Sequence, residues 1–150
     1  MSKRIRWRAH LVICLILIAI SAFVFLQTLD FAFTNYDDDK YVRDNPYVRA
    51  GLSNQSIKWA SMAAYEGTWQ PLVWLSFMAD RQFQGHEPGG YHLTNVLLHI
   101  LSSLLLFLTL NRMTRSIWRS GFVAALFAIH PLHVESVAWI AERKDVLSGF

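Results

Sequence analysis

The run from Ala9 to Leu29, which contains no Asp, Glu, Lys or Arg, most constrains what this chain can fold into. About 20 mostly apolar residues in a helix cross a hydrocarbon core of roughly 30 Å. A second charge-free block runs from Tyr91 to Leu110, and a shorter third block, Gly121 to Val134, contains His130, Pro131 and His133. Val146-Leu147-Ser148-Gly149-Phe150 reads as the opening of a further apolar helix. With only 17% of its 150 residues charged, and those gathered between apolar blocks, the chain does not suit a soluble domain. The expectation is an all-α membrane protein, read as the N-terminal piece of a larger multi-span bundle. A cleaved signal peptide over residues 1–22, with Ala19-Ile20-Ser21 as its small-residue site, is the competing reading. The apolar run continues through Phe23-Val24-Phe25-Leu26, which favours an anchor that stays.

Basic residues predict the orientation. Lys3, Arg4, Arg6 and Arg8 precede the first block, and Arg112, Arg115 and Arg119 fill the link between the second and third. The stretch from Asp30 to Gly90 carries eight acids against five bases. Because Lys and Arg collect on the cytoplasmic side, the N-terminus and this link are assigned to the cytoplasm. Trp7 and Trp118 suit the interfacial aromatic belt there. The expected order is a cytoplasmic tail (1–8), a first span (9–29), an extracytoplasmic loop (30–90) and a second span (91–110). A cytoplasmic link (111–119), a third span (120–134), an outer motif (135–145) and the start of another span (146–150) follow. The expected setting is a bacterial inner membrane, or that of the endoplasmic reticulum in a eukaryote. The net charge of +3 reports this topology, and no basic stripe with interleaved aromatics points to nucleic acid. Cys14 is the only cysteine, so no intrachain disulfide forms and its expected role is packing.

The outer loop is too long for a passive connector. It opens with Phe33-Thr34-Asn35-Tyr36-Asp37-Asp38-Asp39-Lys40, where three adjacent acids need water, a metal, a base or a proton to compensate them. A divalent cation is therefore one option, and an ordinary hydrated turn another. Asn45-Pro46 signals a turn. Ser53 or Asn54 can cap a helix through Gln55–Tyr65, closed at Gly67. Pro71 suits the first turn of a helix through Phe83, apolar enough to lie on the membrane surface or against the spans. Gly85-His86-Glu87-Pro88-Gly89-Gly90 breaks the chain again.

A second polar constellation follows the third block. Pro131 should end that helix at His130. If a new helix starts there, Glu135 and Glu142 share a face, with Asp145 one turn on. Ionisable groups at membrane depth are functional candidates by default. Each has a plainer role as well: His130 and His133 can satisfy carbonyls freed by the proline. Arg143 and Lys144 can snorkel to the interface or hold a phosphate. His92 and His99 on the second block suit helix packing. The His130/His133 spacing permits zinc, but no thiolate or second His pair completes a set, and no metal ligands are assigned.

Taken together, Phe33–Asp38, Trp69-Gln70-Pro71-Leu72, Gly90–Asn95 with His99, and His130–Glu135 followed by Arg143 make the chain resemble a known family. These are the transmembrane and tetratricopeptide-repeat O-mannosyltransferases and their bacterial relatives. The resemblance implies a GT-C-like helical bundle whose outer-face loop bears amphipathic surface helices, followed by a repeat solenoid. It implies a polyprenyl-phosphate-linked sugar as donor, a protein Ser or Thr hydroxyl as acceptor, and a lipid bilayer as setting. It places the catalytic acids on Asp37 and Asp38, and a substrate-binding motif on His133, Glu135 and Arg143, beside His130. The implied activity is transfer of a hexose such as mannose at the outer face. A carboxylate base is worth on the order of 10²–10⁴-fold, and Arg143 would stabilise the leaving phosphate. Two readings stand beside it: a non-catalytic anchor for a repeat scaffold, and a metal-binding sensor or transporter using His130, His133 and Glu135.

Overall fold

The computed structural model describes residues 3–65 and 67–149, so Phe150, in the segment read as the start of a further span, lies outside the described residues. The first apolar block forms α1 (Lys3–Phe25) and a 3₁₀ turn, Leu26–Asp30. The acidic stretch ends in a π-helical turn, Asp39–Arg43, and short helices α2 (Pro46–Arg49) and α3 (Asn54–Met62) follow. Then come α4 (Pro71–Gln84), α5 (Pro88–Thr114) and α6 (Ile117–Ala128). The chain finishes with α7 (His133–Ala138), a 3₁₀ turn Ile140–Glu142, and α8 (Arg143–Ser148). Among the described residues the fold is all-α.

Local chemistry explains most boundaries. Ser53 caps α3 by accepting from the Ser56 amide at 3.1 Å, and the Asn45 side chain does the same for α2. Pro71 and Pro88 occupy first-turn positions, where no amide donor is needed. α3 stops at Met62, short of Tyr65, because Ala63 turns extended and the chain doubles back at Gly67. Gly67 has φ of 77°, a conformation that glycine alone adopts without cost.

Two long helices form the frame. α5 has 27 residues, about 40 Å at roughly 1.5 Å per residue, and α1 with its 3₁₀ turn is comparably apolar. Only 22% of the most apolar window of the first and 33% of the second is buried, unlike core helices of a soluble protein. Leu11, Leu15, Phe23, Leu101 and Leu108 face outward, as lipid-facing residues do. The two run antiparallel: the Asn111 amide donates to His10 at 2.7 Å at one end, and a Cβ on Gly89 would lie 2.8 Å from the Leu29 carbonyl oxygen at the other. α1 is integral to the bundle, since Ile13 and Leu17 share a core with Phe107, Ala124 and Ala128.

The third block departs from expectation. A span over 120–134 is replaced by α6, 12 residues or about 18 Å, too short to cross a bilayer of roughly 30 Å. The residue before a proline is pushed out of helical conformation and Pro131 offers no amide, so the helix gives way after Ala128. The end of α6 meets α5 part-way along, where His99 Nε2 bonds the Ala128 carbonyl at 3.0 Å. α7, the 3₁₀ turn and α8 fill the space from there to the start of α5. They are not one helix: Trp139 is extended (φ −101°, ψ 121°), so Glu135 and Glu142 do not share a helical face.

Residues 31–65 and 67–86 pack as a cap at the end of the bundle where α1 finishes and α5 starts. Its core is Val42, Val48, Ala60, Val73, Trp74, Phe77, Met78 and Tyr91, joined by Ile140. Aromatic rings dominate: Tyr47 stacks on Trp59 at 4.6 Å and Tyr41 on Trp74 at 5.2 Å. Such pairs add about 0.5–1.5 kcal/mol each beyond area burial. α4 is therefore a core element of the cap, with Trp74 and Phe77 fully buried.

Candidate functional site

The three adjacent acids are sorted by their surroundings. Asp39 pairs with Arg43 at 2.9 Å, one helical turn on. Asp38 is 1% exposed and its oxygens are taken: Oδ2 accepts from the Thr34 amide (2.9 Å) and hydroxyl (2.7 Å), and Oδ1 from the Ala141 amide (2.9 Å). Asp37 is half-buried, and among the described residues no hydrogen bond or ion pair engages its carboxylate. Tyr36 beside it is exposed and tilts against Trp139 at 6.1 Å. The acidic motif thus meets the second polar segment at Trp139–Ala141.

Arg143 is enclosed in the interior. It is 0% exposed and sits 4.4 Å over the Phe77 ring. Its guanidinium forms an ion pair with Asp80 and donates to Asn95 Oδ1 at 2.7 Å, the Tyr91 carbonyl at 2.8 Å and Ser76 Oγ at 3.1 Å. Burial lowers its pKa, and the Asp80 carboxylate opposes that shift. Burial likewise pushes the Asp80 carboxyl up, while Arg143 and the hydrogen bonds from Thr94 and Gln84 draw it down. Asn95 extends the network, its amide donating to the carbonyls of Val137 and Trp139, both at 3.3 Å. This buried knot ties α4 and α5 to the turn carrying Ala141. Asp80 escaped the sequence reading, although Val73, Phe77 and Asp80 fall on one helical stripe and an acid on an apolar stripe implies a buried partner.

His130, His133 and Glu135 form a separate neighbourhood. His133 packs on Phe127 at 4.4 Å and His99 at 5.4 Å. With His99, Ser102, Phe127, Ser136, Asp145 and Gly149 it lines a cavity of about 230 Å³. His130 is exposed and its Nδ1 accepts from the Leu132 amide at 3.3 Å, while the Glu135 side chain faces outward. Among the described residues, no hydrogen bond or ion pair joins these three to Asp37 or Asp38. Nor does any group of three or more His, Cys, Asp or Glu there converge as a metal site would require. Arg112 and Arg115 lie at the opposite end of α5 from the acidic motif, with Arg119 on the adjoining turn of α6.

Protein comparisons give this geometry a context. The chain is 36% identical over 139 residues to protein O-mannosyl-transferase Tmtc1 of Drosophila melanogaster, covering 87% of the chain and 16% of that protein. It is 34% identical over 125 residues to protein O-mannosyl-transferase TMTC1 of Mus musculus, covering 75% and 13%. With protein O-mannosyl-transferase tmtc2 of Xenopus laevis it shares 33% over 142 residues, covering 87% and 16%. The chain therefore spans about a sixth of the length of the curated relatives it matches. No family model matches the sequence, and no solved structure matches the fold.

Proposed function

The chain belongs to the TMTC family of protein O-mannosyl-transferases, and on that premise we propose that it carries the acceptor-activating end of a membrane glycosyltransferase of GT-C type. The donor in this reading is a polyprenyl-phosphate-linked hexose such as mannose, and the acceptor a protein Ser or Thr hydroxyl. The observation that carries it is the unequal treatment of neighbouring carboxylates: Asp38 is held by three donors, while Asp37 is left unengaged at the surface beside it. A base must have a lone pair to offer, so Asp37 takes that part and Asp38 anchors it. The acceptor oxygen attacks the anomeric carbon, the bond from that carbon to the lipid phosphate breaks, and the phosphate leaves with its electron pair. The hydroxyl proton passes to Asp37. A single displacement of this kind inverts the anomeric centre.

Arg143 does not hold the phosphate in this scheme, because its nitrogens are already engaged in the interior. His133 is retained on the donor side by its place in the cavity wall, with His130 and Glu135 as flanking groups. In this reading the motif end faces away from the cytoplasm and the arginine end toward it, in a bacterial inner membrane or the endoplasmic reticulum. A repeat solenoid belongs to the longer protein. In full-length protein, Asp37→Asn should lower mannose transfer at least about 10²-fold at unchanged expression, and wild-type turnover would refute Asp37 as base. The anchor reading draws on the same engagement of Asp38 and Arg143, since it makes both residues structural. It predicts that the full-length protein binds partners but neither polyprenyl-phosphate sugars nor peptide acceptors, and transfers no sugar with or without Asp37→Asn.

A further inference from the structure

Asp38 is held beside Asp37 by Thr34 and by the Ala141 amide. Ala141 sits in a short turn closed by backbone bonds from Glu142 to Trp139 and from Arg143 to Ile140. That turn is extended at Trp139 and tightly wound over Ile140–Glu142. One side chain reaches it from α5: Asn95, which is fully buried and whose amide donates to the carbonyls of Val137 and Trp139. Its oxygen meanwhile receives Arg143 Nε at 2.7 Å, and Arg143 closes the same turn on its far side. A carboxamide is suited to this post, because it donates to backbone carbonyls and accepts from a guanidinium at once.

We infer that Asn95 is a positioning residue for the acceptor-activating carboxylates, setting the turn whose Ala141 amide fixes Asp38 and so aims Asp37. The inference rests on the reading of Asp37 as base. Asn95→Asp keeps the shape and the oxygen facing Arg143, and it removes both donated bonds. Thr94→Val is the control: it deletes a hydrogen bond to Asp80 in the same buried network and touches nothing in the turn.

The experiment measures kcat and KM for full-length protein in detergent, with polyprenyl-phosphate mannose as donor and a Ser/Thr-containing polypeptide as acceptor. Rates are referred to the folded fraction. Asn95→Asp is expected to lower kcat about 10²-fold, the usual cost of a displacement near 1 Å, with the donor KM little changed. Thr94→Val should stay within about 2-fold of wild type, outside the chemistry. Asn95→Asp with wild-type kcat overturns the inference, as does an equal loss in Thr94→Val, which would report general loosening. If Asn95→Asp does not accumulate, Asn95→Ser removes the same donors without adding a charge and is read the same way. If neither accumulates, Asn95 is a folding residue and the positioning role is rejected. Asp37→Asn assayed alongside separates the two claims: an inactive Asp37→Asn with an unaffected Asn95→Asp fails only the positioning, and an active Asp37→Asn fails the base.

Discussion

In the cap, Trp74 meets Tyr41, Trp59, Tyr65 and Phe77, and a buried arginine lies over a phenylalanine ring. In the bundle, α6 approaches α1 through Gly121, where an added Cβ would lie 3.1 Å from Ile13. The cap exchanges water for protein, so large rings and a fully bonded ion pair both serve it. The bundle exchanges lipid for protein, which gives no hydrophobic gain, and its helices hold by close approach and scattered polar bonds. His99 bonding the Ala128 carbonyl and Asn111 bonding His10 are of that kind. The cap is thus held chiefly by clustered rings, and the bundle adds to its own apolar core a close approach at Gly121.

The sharpest break should come from the cap. Arg143→Met strands Asp80 in the interior and should cost about 3–5 kcal/mol, whereas adding Asp80→Leu should recover most of that loss. Denaturation of the purified protein followed by tryptophan fluorescence reads both. A double variant as unstable as the single one would show that the pair does more than satisfy itself. The bundle should yield instead to added volume: Gly121→Leu should cost about 1–3 kcal/mol by wedging α6 from Ile13. A neutral result in the same melt would mean that the helices slide freely. The smallest effect belongs to Asn111→Ala, about 0.6 kcal/mol, typical of a polar contact between membrane helices. A cost matching the arginine variant would erase the contrast between the two regions.

How much was legible in the residues follows from the range of the forces involved. The long charge-free blocks, the Ser53 cap and the Pro71 start are local signals, and they name α1, α5, α3 and α4 directly. The short α6 was half visible, because Pro131 marks its end but apolarity alone carries the eye on to Val134. The break at Trp139 has no glycine or proline to announce it. It is set by Asn95 and Arg143, which act on it from α5 and from the buried knot. The pairing of Asp80 with Arg143 joins residues far apart in sequence, beyond any periodicity. That is why the sequence leaves Arg143 open between an interfacial cation and a phosphate ligand, and does not name Asp80 as its partner. The division between Asp37 and Asp38 is likewise invisible in two identical adjacent letters.

The hydrogen bond from Ala141 to Asp38 joins residues 103 positions apart. Synthesis proceeds at about 5–20 residues per second, so that separation is a wait on the order of 5–20 s. Through that interval the Thr34 donors to Asp38 are available and the Ala141 amide is not. That contact can form only after α5 and α6 have been synthesised. Until Ala141 has emerged, no nascent chain has the contact that holds Asp38 Oδ1.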